Sequence, residues 1–82
     1  MSRYERIIVE CYSGYKANQA PRAFVFGDRR WEITEIVDRW YEGGTAPARP
    51  VIDYFKVKSA DGRVFILRYL ALFDAWSVKT DA

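Results

Sequence analysis

Apolar and polar positions alternate in short runs along most of this chain, and one run specifies its own pairing. Tyr54-Phe55-Lys56-Val57-Lys58-Ser59-Ala60-Asp61-Gly62-Arg63-Val64-Phe65-Ile66-Leu67-Arg68-Tyr69 sets two period-two stretches on either side of Asp61-Gly62, the pattern of a β-hairpin. Two turns fit. A two-residue type I′ loop places Lys58 opposite Phe65 and Lys56 opposite Leu67. A three-residue loop, with a type I turn over 59–62 and Gly62 left-handed in a G1 bulge, shifts the pairing by one. Phe55 then faces Leu67, Val57 faces Phe65, and Asp53 faces Tyr69. The other surface carries Tyr54, Lys56 and Lys58 across from Arg68, Ile66 and Val64. A one-residue slip turns every side chain to the opposite face, so the hydrophobic pattern selects the bulged register.

The same periodicity predicts the other elements. Ile7, Val9 and Cys11 alternate over residues 5–12 and predict a first strand, followed by a polar loop over 13–21 with Gly14 and Pro21 as breakers. Ala23-Phe24-Val25-Phe26, Gly27-Asp28 and Arg29-Arg30-Trp31-Glu32-Ile33-Thr34 read as a second hairpin. Glycine at the first central position suits a type II′ turn and sets Phe24 opposite Trp31. Phe26 and Ile33 join that face, and Ala23, Val25, Arg30, Glu32 and Thr34 take the other. Residues 34–41 satisfy two patterns. A bent or bulged strand extends the hairpin, whereas Ile33, Ile36, Val37 and Trp40 also fit a helical turn capped by Thr34 and stopped at Gly43-Gly44. The strand is the favoured reading. A Pro-containing loop over 43–50 and a last strand over 74–80, with Trp76 and Val78 alternating, complete the chain.

Five to six short, tightly connected strands without a clear helix predict an all-β fold: a small antiparallel barrel or strongly twisted sheet of SH3-like or OB-like size. The 82 residues make one domain, 1–82, and 17% aromatic residues give it a sufficient core. Cys11 is the only cysteine and reads as a small buried hydrophobe. With no signal-peptide pattern and no apolar run near ~20 residues, the chain is expected to be cytoplasmic, away from the membrane. The net charge of +2 is unevenly spread: residues 1–30 and 55–82 are basic, and 31–54 are acidic. That is no polybasic footprint, but the two basic segments could meet on one surface.

The absence of histidine removes the usual general base and the commonest metal ligand, and a lone cysteine makes no ordinary zinc site. Glu32, Glu35, Asp38 and Glu42 are the remaining catalytic candidates. Their ordinary reading is a solvated charged face, so neither an enzyme nor a cofactor nor a metal is expected. Binding is the better prospect. Tyr54, Lys56, Lys58 and Arg68, with help from Arg30, put rings beside cations, the combination that stacks bases and neutralises phosphates. The same residues also have a structural reading, as edge-protecting lysines and a Tyr54–Arg68 cross-strand pair. Trp31 and Trp76 fall in phase with the core. Trp40, between Arg39 and Tyr41, is the ring expected to be exposed, as an anchor for a protein partner or as a plug in one barrel end. Partners of either class, DNA or RNA on one hand and protein on the other, are therefore in view, as is a homodimer formed through an open strand edge.

The run Arg29-Arg30-Trp31-Glu32-Ile33-Thr34-Glu35-Ile36-Val37-Asp38-Arg39-Trp40 is followed by Tyr54-Phe55-Lys56-Val57, an Asp-Gly turn and a closing aromatic strand near Trp76. In this order it resembles an uncharacterised family of small bacterial β domains of unknown function. The resemblance spans most of residues 5–79. Members look like stand-alone proteins, and some resemble tails of Y-family-polymerase-like proteins. The resemblance implies a DNA-related accessory role and supplies no functional residues.

Overall fold

The structure, a computed structural model, describes residues 3–11, 20–43 and 51–80. The expected polar loop over 13–21 and the 43–50 loop lie largely outside these residues. Among these residues six strands form: β1 (Tyr4–Cys11), β2 (Pro21–Phe26), β3 (Arg29–Glu42), β4 (Ile52–Ser59), β5 (Val64–Leu70) and β6 (Ala75–Lys79). A 3-10 turn, Ala71–Phe73, joins β5 to β6. Each strand pairs antiparallel with the next, and β6 returns to β1, so the sheet closes into a barrel.

The β4–β5 hairpin has the bulged register. Phe55 faces Leu67, Val57 faces Phe65, and Tyr54 faces Arg68. Gly62 sits at φ 88° and donates its N–H to the Ser59 carbonyl at 2.9 Å, while the Ser59 N–H donates to the Arg63 carbonyl at 2.8 Å. In the β2–β3 hairpin Phe24 does face Trp31, but the turn is type I′ rather than II′, because Gly27 (φ 62°) and Asp28 (φ 60°) are both left-handed. Aspartate tolerates that conformation better than most residues through its short polar side chain.

Residues 34–41 are strand, not helix. β3 runs for 14 residues and shifts register between Ile33 and Glu35 and again between Ile36 and Asp38, leaving Thr34 and Val37 as bulges. The helical spacing of its apolar residues loses to the backbone ladder with β4, which satisfies N–H and C=O groups over the whole stretch where one isolated helical turn would close very few.

Closure depends on two strands that change partners. β1 pairs with β6 over Tyr4–Ile7 and with β2 from Ile8 onward. β3 pairs with β2 from Arg29 to Glu32 and, from Ile33 on, with β4. Inside lie Ile7, Phe24, Trp31, Ile33, Phe55, Val57, Leu67, Trp76 and Val78. Phe24 and Phe65 meet edge to face at 5.1 Å, and Trp31 closes on Phe65 at 5.0 Å. Ala23, expected on the open face, is fully buried: Glu10 and Glu32 flank it on the neighbouring strands. No helix among the described residues is long and apolar enough to cross a membrane.

Candidate functional site

Side chains alternate between the barrel interior and its outer wall, so successive cross-strand partners share a face. Read outward from the β4–β5 hairpin, Trp40, Tyr54, Arg68, Ser77 and Arg6 form one row crossing β3, β4, β5, β6 and β1. Lys79 and Tyr4 face each other two residues along, on the same wall.

The row is knit together by flat groups. Trp40 stacks on Tyr54 with centroids 5.4 Å apart and planes 7° from parallel. The Arg68 guanidinium reaches across β6, over the buried Ser77, to sit 3.9 Å above the Tyr4 ring. Its Nε is buried without a hydrogen-bond partner among the described residues, a state that costs about 1–3 kcal/mol. Tyr54, expected on an open face, is only 9% exposed, because Trp40 lies over it. Burial, followed by the neighbouring Glu42 carboxylate, pushes its hydroxyl above the ordinary tyrosine range, with Arg68 acting in the opposite direction. Tyr54 is therefore a support for Trp40 and is not itself a stacking surface.

The charges on this wall are graded. Lys56 lies opposite Asp38 and Lys58 opposite Glu35, so β3 offsets both lysines. Arg68, Arg6 and Lys79 have only Tyr54, Ser77 and Tyr4 as cross-strand partners. None of these cations makes an ion pair among the described residues. Arg30 is placed elsewhere. It lies on the outer wall of β1, β2 and β3, gripped by both Glu10 oxygens at 2.9 and 3.0 Å and 3.7 Å from Glu32. That grip holds Glu10 below the usual carboxylate range.

Tyr54, Lys56, Lys58 and Arg68 thus come together as expected, and Arg30 does not join them. Arg39, Trp40 and Tyr41 form no single patch. Trp40 faces outward, and Arg39 turns inward with its guanidinium 4.8 Å from the Phe55 ring centre. Trp40 is 37% exposed on the outer wall and plugs no barrel end. The sequence pattern does not single out Tyr4, Arg6 and Lys79, because nothing local shows that β1 pairs with β6. The available signals are the polar phase of β1 against Ile7 and the basic charge at both ends of the chain.

Among the described residues, one hollow borders this wall at Arg6 and another lies away from it. The first, of about 350 Å³, opens between β1 and the start of β6, where Cys11, Asp74 and Trp76 meet. There the Tyr69 hydroxyl donates to Asp74 at 2.7 Å, and this bond, then burial, pushes the phenol up to about 12. Burial raises the Cys11 thiol, with Asp74 adding to it, so the reactive thiolate is disfavoured. The other, of about 280 Å³, separates the two hairpin turns. It is spanned by the Arg29–Asp61 ion pair at 3.3 Å, with the Arg29 guanidinium 3.9 Å from the centre of the Trp31 ring. Among the described residues no cluster of three His, Cys, Asp or Glu side chains is placed to hold a metal. Comparison with protein-family models, curated proteins and solved structures finds no match.

Proposed function

We propose that this chain is a non-catalytic module that binds single-stranded nucleic acid weakly, and largely through charge, on the outer wall of β4, β5, β6 and β1. The observation that carries this reading is the meeting of the two basic ends of the chain. Closure of β1 on β6 sets Arg6 and Lys79 beside Arg68, with no carboxylate across from any of them. Arg68, Arg6 and Lys79 would neutralise phosphates, Lys56 and Lys58 would add less because of Asp38 and Glu35, and Tyr4 and Trp40 would offer ring surface to bases. The resemblance to small domains near polymerase-like chains is in keeping with this role, as analogy only.

Fluorescence-anisotropy titration of labelled single-stranded DNA, duplex DNA and RNA at several salt concentrations tests it. Neutralising two or three phosphates of a single strand gives a log–log salt slope of roughly −1.4 to −2.1. Arg6→Ala and Lys79→Ala should each weaken binding and flatten the slope, whereas Arg29→Ala, on the far side, should leave both unchanged. Absence of binding at low salt, or equal loss with Arg29→Ala, would overturn the reading.

A further inference from the structure

The second half of β3 is charged in the opposite sense and is paired, among the described residues, with β4 alone. Its bulges at Thr34 and Val37 bend the first part of this edge, a device that discourages strand addition. Beyond them Asp38, Arg39, Trp40, Tyr41 and Glu42 pair in regular register with Lys56, Phe55, Tyr54, Asp53 and Ile52. The Arg39 N–H is not given to a strand: it donates to the Asp38 carboxylate at 2.8 Å. In an antiparallel ladder N–H groups point alternately to one side and the other, so the Tyr41 backbone also faces the open edge. Tyr41 is 71% exposed.

We propose that the Asp38–Glu42 edge of β3 takes an extended, basic peptide segment as an added strand. This site borders the nucleic-acid wall and shares Trp40 with it, but is built on the opposite charge and on the free strand edge. The occupant follows from charge. Asp38 and Glu42 point outward on either side of Trp40, and an added strand sets its own side chains about 4.5–5.5 Å from theirs. Lys56 lies one strand further in, roughly 10 Å from the newcomer, near the screening length of 0.1 M salt. The matching segment therefore reads basic, any residue, aromatic, any residue, basic. A second copy of this chain fits poorly. Two β3 edges overlapped fully about a two-fold axis set Asp38 against Glu42 twice, and sliding one copy by two residues sets Arg39 against Arg39. The arriving strand displaces the Asp38 carboxylate from the Arg39 N–H and frees it to meet a lysine.

The probe is a labelled peptide with the core Lys-Val-Phe-Thr-Lys, followed by anisotropy and by amide hydrogen exchange of the full chain. Exchange at Arg39 and Tyr41 should slow on addition. Binding should fall at least fivefold for Asp38→Asn combined with Glu42→Gln, a pair of changes that removes both charges but keeps a side-chain oxygen at position 38 for the Arg39 N–H. It should also fall when glutamates replace the peptide lysines, and vanish when the second and fourth peptide amides are N-methylated. Equal binding of the acidic or methylated peptide would overturn the proposal. So would slow exchange of Tyr41 in the free protein at low concentration, because the edge would already be covered. A mass that rises with protein concentration, together with peptide-free protection of Tyr41, would replace the peptide with a second copy.

Discussion

At the scale of single residues, backbone conformation and hydrogen bonding give separable effects. Gly62 holds φ 88°, with nothing within 4 Å of the position a Cβ would take. Gly62→Ala therefore meets backbone strain and no clash, and should lower stability by about 1–2 kcal/mol in urea unfolding. Tyr69 supplies a pH effect. Its folded value of about 12 lies above the ordinary 10.0, chiefly through the bond to Asp74. A raised value favours the protonated phenol in the fold. The stabilisation is thus complete below pH 10 and is lost as pH climbs toward 12. Urea midpoints across this range should fall more steeply for the wild type than for Tyr69→Phe. Asp61 has the opposite sign: its hydrogen bond from Ser59 holds it below the usual carboxylate range. Its contribution is lost as pH falls, so Asp61→Asn should show a shallower acid limb.

At the scale of elements, the β4–β5 hairpin was fully legible, because Phe55, Val57, Phe65 and Leu67 share a face in only one of two registers. Its consequence is measurable. Leu67→Ala, at a fully buried position, should cost about 2–5 kcal/mol. Val64→Ala, on the other face and 52% exposed, should stay within about 0.5 kcal/mol. The Gly27-Asp28 turn was legible in length and register but not in type, since the sequence rule for glycine at the first position left the φ of Asp28 open. β3 was ambiguous because bulges break its period of two and let a helical spacing show through. Its pairing changes the meaning of the lysines. Lys56→Glu with Lys58→Glu would set acids opposite Asp38 and Glu35, at about 0.2–1 kcal/mol for each pair. Adding Asp38→Lys should recover part of that loss in a double-mutant cycle.

At the scale of the whole molecule, the wall proposed to bind nucleic acid is a product of closure. No local pattern joins Arg6 to Arg68: the two lie on opposite sides of β6, and only the strand order makes them neighbours. The uneven charge along the chain held the hint, without saying which basic residues would meet or which would be neutralised. Arg30 shows the limit, since Glu10 reaches it through pairing of β1 with β2 and β2 with β3. Pairing of β3 with β4 likewise turns Trp40 into the lid over Tyr54, which period-two alternation alone placed on an open surface.

The measurement that tests the account most directly is an NMR titration of isotope-labelled protein with a short single-stranded oligonucleotide at low salt. Amide shifts that move together around Tyr4 and Arg6 of β1, Arg68 of β5 and Lys79 of β6, and that recede as salt is added, are the predicted result. Shifts confined to the Arg29–Arg30 wall, or no shifts at all, would contradict it.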